Sequence, residues 1–178
     1  MSLTQIIILL IVSLVILVVI IFLGTGVTSA PYVPTASKDL AKDLGRILSF
    51  KKTDLLIDLG AGDGKVLAAT SKNGAKALGI ELNPIMAFST KIRYRHDKNI
   101  KVLCRNLYRF RFPKETTIVY AFTTAVYITP VYHKVQKEAN RLGKTLYFIS
   151  NAAKPKNIKY QKKIDSFYLY KVIPEKTC

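Results

Sequence analysis

A glycine-rich turn and a separate acid are the residues of this chain best suited to binding chemistry. Residues 58–64 read Asp-Leu-Gly-Ala-Gly-Asp-Gly, and Glu81 lies near the end of the next apolar segment. Glycine lets a backbone approach a ligand closely, and a carboxylate accepts strong hydrogen bonds from hydroxyl groups. Each residue alone also fits a plain turn, a helix cap or a surface acid, but the combination indicates a ligand site.

Two known phosphate-binding patterns do not fit this turn. A P-loop ending at Gly64-Lys65 would need glycine where Leu59 stands and a hydroxyl residue where Val66 stands. The dinucleotide pattern Gly-x-Gly-x-x-Gly, counted from Gly60, finds Lys65 at its last glycine. The turn is therefore predicted to bind a ligand other than a nucleoside triphosphate, and a dinucleotide fits poorly.

Strand-like and helix-like patterns alternate along the chain and place the turn at a strand end. Ligands of open α/β sheets bind beyond the carboxyl ends of the strands, so the turn and Glu81 are expected at one edge. The predicted helices cover residues 37–48, 65–72, 84–96 and 126–140, with Asn83 as an N-cap and Gly143 as a stop, and the predicted strands cover residues 54–60, 76–82, 101–104, 117–122, 146–149, 158–164 and 167–172.

This order predicts an α/β fold with a Rossmann-like, mostly parallel sheet, helices on both faces and a C-terminal antiparallel hairpin. The predicted organisation is an N-terminal transmembrane anchor at residues 1–26, a linker and pre-motif segment at 27–35, and one domain at 36–178. In the linker, Gly24, Gly26, Pro31 and Pro34 are expected to interrupt any continuous helix.

The anchor is an uncharged run at residues 6–23 in which Ser13 alone is not apolar. As a helix it spans about 27 Å, close to the roughly 30 Å hydrocarbon core of a bilayer. Thr28-Ser29-Ala30 resembles the cleavage site of a secretory signal, which is the alternative. No Lys or Arg precedes the run, and the run is longer than a usual signal core. A retained anchor is favoured.

The charge of the chain indicates possible binding partners, and its Cys and His residues do not indicate a metal site. All 28 Lys and Arg follow residue 37, and the net charge is +17. A solvated lysine-rich surface, attraction to anionic lipid head groups and nucleic-acid binding are all compatible with this charge, in decreasing order of preference. Cys104 lies in an apolar run and is expected to be a buried thiol. His96 and His133 are expected on helix surfaces, and the sequence contains no metal-ligand cluster.

Three segments together resemble a known family. Residues 31–35 (Pro-Tyr-Val-Pro-Thr) after one membrane span, residues 58–64, and residues 79–84 (Gly-Ile-Glu-Leu-Asn-Pro) are similar to class I S-adenosylmethionine-dependent methyltransferases. The resemblance is strongest to the small membrane-anchored protein-lysine methyltransferases that modify the adenine nucleotide translocase and the ATP synthase c-subunit. It covers most of residues 31–150 and implies S-adenosylmethionine as the cofactor.

The resemblance also implies roles for individual positions. Glu81 would bind the ribose hydroxyls, Asp58 would lie near the positively charged amino-acid end of the cofactor, and Asn106 would contact the adenine where the family usually has Asp. The implied cofactor-binding residues are Tyr32, Pro34, Thr35, Asp58, Gly60, Ala61, Gly62, Asp63, Gly64, Glu81, Leu82, Asn83, Asn106 and Leu107.

The acceptor side is less defined. The segment at residues 121–123 would lie next to the methyl group, and Tyr120, Phe122 and Tyr127 are acceptor-pocket candidates, although core packing is the favoured role of the tyrosines. No general base is evident. A membrane-protein lysine is the expected acceptor, with the domain facing the cytoplasm or the mitochondrial matrix. A lipid or small-molecule acceptor, or a non-catalytic membrane-tethered binding module, stays open.

Overall fold

The structure is a computed structural model that describes residues 2–28 and 39–175 of the 178-residue chain. Its first helix, α1, covers Leu3–Thr28. The window Leu3–Ile20 has a mean hydropathy of 3.2, carries no buried residue, and is long and apolar enough to cross a membrane.

A seven-stranded sheet forms the centre of the remaining chain, with strand order β3-β2-β1-β4-β5-β7-β6. The first five strands run parallel, and β7 pairs antiparallel with β5 and with β6. The strands are β1 Leu55–Leu59, β2 Lys76–Glu81, β3 Ile100–Cys104, β4 Thr116–Phe122, β5 Leu146–Asn151, β6 Lys162–Ile164 and β7 Phe167–Val172, and the helices after α1 are α2 Leu40–Ile47, α3 Lys65–Lys72, α4 Pro84–Arg93 and α5 Ala125–Leu142.

Alternating strand residues divide the core between two faces of the sheet. On one face, Leu44 and Ile47 of α2 pack with Leu56, while Leu67 of α3 packs with Ala77. On the other face, the buried side of α5 covers the central strands. Helices therefore lie on both faces, and the predicted Rossmann-like fold with its closing antiparallel hairpin is confirmed.

The reversal of strand order falls beside β1. The chain goes from β1 outward through β2 to β3, and then returns to the other side of β1 as β4. In such sheets the connections after the central strands diverge and leave a crevice at the carboxyl ends. The turn after β1 and the end of β2 both lie at this crevice.

Several sequence-based predictions need correction. α1 continues through Gly24 and Gly26 to Thr28, so these glycines do not interrupt it; one glycine costs a helix only about 1 kcal/mol relative to alanine. Cys104 is exposed, not buried, because β3 is the edge strand of the sheet. The hairpin strand expected from residue 158 begins only at Lys162, and the chain before it turns at Asn157, which has a φ of 60°.

Other boundaries agree closely. α3 has the predicted bounds, and α4 begins at Pro84 but ends at Arg93, after which residues 94–96 form turns. The division into residues 1–26, 27–35 and 36–178 stays a prediction, because residues 29–38 lie outside the described part of the chain.

Candidate functional site

The glycine-rich turn after β1 is held in place by two neighbouring elements. The backbone N–H groups of Gly60 and Ala61 both donate to the carbonyl of Ile80 in β2, at 2.8 and 3.2 Å. Thr90 of α4 donates its hydroxyl to the carbonyl of Gly62 at 2.6 Å. The turn is therefore a fixed feature of the sheet edge, and Thr90 is a supporting residue that sequence reasoning did not single out.

Two glycines of the turn have opposite surroundings. Gly60 has a φ of +97°, and a Cβ built there would meet nothing within 4 Å, so open space lies above the backbone. Gly64 has a φ of +79°, and its Cβ would lie 2.5 Å from the Tyr94 ring and 2.6 Å from Thr90 Cγ2. Gly60 leaves room for a ligand, whereas Gly64 allows α3 and α4 to pack closely.

We expect Gly64→Ala to destabilise the domain by about 2–5 kcal/mol, because left-handed backbone strain adds to overpacking against α4. Gly74→Ala is the matched control, since Gly74 has a φ of +83° and nothing within 4 Å of its built Cβ. The control should lose only about 1–2 kcal/mol. Urea unfolding followed by circular dichroism measures both, and equal losses would refute the packing role of Gly64.

Glu81 joins the turn to the start of α4. Its Oε2 accepts a hydrogen bond from the Gly62 N–H at 2.9 Å, and its Oε1 accepts one from the Asn83 N–H at 2.8 Å. Asn83 in turn caps α4 by accepting from the N–H groups of residues 85 and 86. The carboxylate is oriented by the backbone and half-buried. Each oxygen keeps capacity for one further hydrogen bond, such as one from a hydroxyl of a ligand.

Asp58 is a buried acid near the end of β1, with an exposed fraction of 2%. Burial raises its pKa well above the usual carboxyl range, and the negative charges of Glu81 and Asp63 raise the pKa further. Within residues 39–175 no cationic side chain forms an ion pair with it. Such a carboxyl group is suited to a ligand that brings positive charge.

The remaining turn residues have structural contacts. Asp63 forms an ion pair with Lys65 at 2.9 Å, and its carbonyl accepts from Arg93 at 3.3 Å. Ala61 is buried against β2, where a Cβ at Gly79 would come within 2.7 Å of the Ala61 methyl carbon. Leu82 is half-buried between Glu81 and the α4 cap. These residues fix the shape of the crevice.

The segment after β3 lies beside the same crevice. Asn106 is exposed, and its side-chain oxygen accepts a hydrogen bond from the Tyr108 N–H at 2.9 Å. The amide oxygen expected to contact adenine is thus already bound to its own turn, with one acceptor position left. Leu107 is half-buried and packs against the α5 side of the core.

The acceptor-pocket candidates separate into two groups. Tyr120 is 1% exposed, and its hydroxyl accepts a hydrogen bond from Asn151 Nδ2 at 3.0 Å, so it belongs to the core beneath the crevice. Phe122 is half-buried at the end of β4, and Tyr127 is exposed in the first turn of α5. Phe122 and Tyr127 thus lie near the crevice opening, and Tyr120 does not.

The structure adds Tyr108, which sequence reasoning did not single out, and a further observation on Thr123. Burial, and then the charge of the Tyr127 phenolate, raise the pKa of the Tyr108 phenol. The Thr123 hydroxyl is buried and has no hydrogen-bond partner in the described part of the chain. The alternation of aromatic residues and Arg at 108–112 is a local pattern that could have drawn attention to Tyr108. Tyr32, Pro34 and Thr35 lie outside the described residues.

Sequence comparison identifies relatives of this chain. A family profile described as "Methyltransferase domain" matches residues 57–145. The ATP synthase c-subunit lysine N-methyltransferase of Caenorhabditis elegans is 26% identical over 152 residues, covering 79% of this chain and 80% of the relative. A protein-lysine N-methyltransferase of Saccharolobus islandicus is 39% identical over 59 residues, which cover 32% of this chain and 36% of that protein.

Structural comparison supports the same fold. An RNA methyltransferase from Salinibacter ruber, solved in complex with S-adenosyl-L-homocysteine, superposes with a TM-score of 0.70 at 18% identity. The superposition covers 82% of this chain and 97% of that one. At this identity the likeness describes the fold and not the substrate.

Proposed function

The chain belongs to the methyltransferase domain family, and on that premise we propose that it is a membrane-anchored protein-lysine N-methyltransferase. The methyl donor is S-adenosylmethionine, and the proposed acceptor is a lysine of a membrane-associated protein. The observation that carries the proposal is the pairing of buried Asp58 with backbone-held Glu81 on either side of an open glycine turn.

The site fits the donor on three counts. Asp58 offers a buried carboxyl group without an ion-pair partner in residues 39–175, which can give up its proton when the ammonium group and the sulfonium of the donor bind beside it. Glu81 is held by two backbone N–H groups with acceptor positions left for the ribose hydroxyls. Gly60 leaves open space for close approach. The bound donor supplies an activated methyl group, and the residues around it bind and orient.

The acceptor side must position a neutral amine. Phe122 and Tyr127 give the opening an apolar and aromatic lining, and an apolar environment lowers the pKa of a lysine. Holding the amine in line with the methyl group can lower the activation free energy of methyl transfer by several kcal/mol. No acid occurs between Phe122 and Glu138, so the lysine is expected to lose its proton to solvent before transfer.

Three observations support lysine and the membrane. The Caenorhabditis and Saccharolobus relatives are named as lysine methyltransferases. α1 is long and apolar enough to span a bilayer, and its 26 residues exceed the roughly 20 needed. Lys38 and Lys42 follow it, which favours a domain on the cytoplasmic or matrix side.

The test is mass spectrometry of membrane proteins from cells that express the full chain or its Glu81→Gln variant. We expect lysine-containing peptides with additions of about 14 Da per methyl group, present with the wild-type chain and absent with the variant. Methyl label that appears only in lipid extracts would reassign the acceptor. Donor binding without transfer to any membrane component would favour a non-catalytic module.

A further inference from the structure

α4 carries an apolar stripe on its outer surface. Ile85, Phe88 and Ile92 are 43%, 66% and 45% exposed, although their spacing of three and four residues is the spacing of a buried helix face. The buried side of α4 is formed instead by Ala87 and Thr90. The helix thus has a second apolar face that no other described residue covers.

The charged residues of α4 and of the turn after it are all positive. Residues 84–96 contain Lys91, Arg93 and Arg95 and no acid. The first acid, Asp97, is turned toward its own loop, where it accepts a hydrogen bond from the Asn99 N–H at 2.9 Å. An exposed apolar stripe flanked by cations is typical of a helix that lies in the interface of an anionic membrane.

A groove extends this surface onto the edge strand β3. The groove has a volume of about 340 Å³, and its lining combines three cations and one tyrosine with aliphatic side chains: Lys91, Arg95 and Lys101, then Tyr94, with Ile100, Val102 and Leu103. Leu103 is 40% exposed. Apolar side chains and cations in one groove match an anionic phospholipid, whose chain needs apolar contact and whose head group carries negative charge.

We propose that α4 and the β3 groove dock the domain flat against an anionic bilayer. The proposal rests on the membrane anchoring in the proposed function, because α1 keeps the domain at the membrane. The ten residues at 29–38 can reach at most about 36 Å when extended, so the domain stays within that distance of the bilayer. Ile85 lies next to the Asn83 cap, and docking therefore places one rim of the methyl-transfer crevice beside the lipid surface.

A single introduced tryptophan tests the contact, because the natural chain contains none. The full chain with Phe88→Trp is reconstituted into vesicles of phosphatidylcholine, with or without phosphatidylserine, that carry brominated acyl chains. Lys137→Trp is the matched control, since Lys137 is exposed on α5, across the sheet. We expect a blue shift and strong quenching at position 88 in phosphatidylserine vesicles, and neither at position 137.

Removal of the three groove cations is the second part of the docking experiment. The triple variant Lys91→Gln, Arg95→Gln and Lys101→Gln, made on the Phe88→Trp background, should shift the docking equilibrium by about fivefold per cation, so that quenching largely disappears. Unquenched tryptophan at position 88 in an anchored, donor-binding chain would overturn the docking proposal and leave the proposed function intact. Extraction of the chain by alkaline carbonate would instead count against the anchor.

Two other outcomes would also overturn it. Tryptophan shifts that grow with protein density in vesicles lacking phosphatidylserine would assign the surface to a second copy of the chain. Shifts produced by added RNA and not by phosphatidylserine would assign it to nucleic acid.

Discussion

Replacing Glu81 by Gln will weaken S-adenosylmethionine binding by about 10- to 100-fold or more, because hydrogen bonds to a charged acceptor contribute roughly 1.5–3 kcal/mol each. The same carboxylate accepts from the N–H groups of Gly62 and Asn83. A Gln amide presents one NH₂ group to these donors, so one of the two backbone contacts is lost as well. Isothermal calorimetry on the full chain in detergent measures the affinity.

Glu115→Gln is the matched control for this substitution. Glu115 is exposed just before β4, at the opposite end of the sheet from the crevice, and the charge change is the same. Its affinity for the donor should stay within about twofold of the wild type, since exposed charges a Debye length or more away are screened. Equal behaviour of the two variants would refute the assignment of Glu81 to the donor site.

Asp58→Asn should have two opposite effects, namely a large loss of donor binding and a gain in stability. The folded-state pKa of Asp58 is raised above the unfolded value by burial and by Glu81 and Asp63. The stability linked to this group is therefore fully present below the unfolded pKa of about 4. It is lost as pH rises through the folded pKa. Asparagine avoids the buried charge and should stabilise the domain at neutral pH by roughly 1–2 kcal/mol.

Thermal unfolding and calorimetry separate the two effects of this substitution. The apparent Tm of the cofactor-free Asp58→Asn variant should exceed that of the wild type by a few degrees at pH 7.5, and the difference should shrink as the pH falls. Donor binding to the wild type should release protons, visible as a dependence of the binding heat on the buffer. An unchanged Tm together with unchanged donor affinity would show that Asp58 is a structural acid only.

The fold could be predicted because strong local signals agree with the tertiary arrangement. The Asn83-Pro84 start of α4 and the Asn73-Gly74 stop of α3 are short-range capping signals. The turn after β1 contains glycines that the backbone requires at positive φ. In these places the local preference and the packed structure demand the same conformation.

The failures occurred where position in the sheet overrides local pattern. Cys104 lies in an apolar run, but nothing pairs with the outer side of β3 among the described strands. The core position of Tyr120 agrees with the packing role favoured from the sequence, but its partner Asn151 could not be predicted, because only the pairing of β4 with β5 brings the two together. Thr90 supports the glycine turn from a helix on a different segment, with no local signal. Such contacts depend on how distant segments pack and on the register of paired strands, and local sequence patterns do not report either.

The three acids around the glycine turn lie on a molecule whose net charge is +17. S-adenosylmethionine is itself a net cation, so the surface as a whole repels it at long range while the carboxylates attract it over a few ångströms. Dissolved salt screens the long-range repulsion between the positive surface and the donor beyond roughly 10 Å. It screens the attraction of buried carboxylates much less. We therefore expect added salt to speed capture of the donor and to weaken the proposed contact of the lysine-rich surface with an anionic bilayer. Donor capture and the proposed membrane contact should therefore respond to ionic strength in opposite directions.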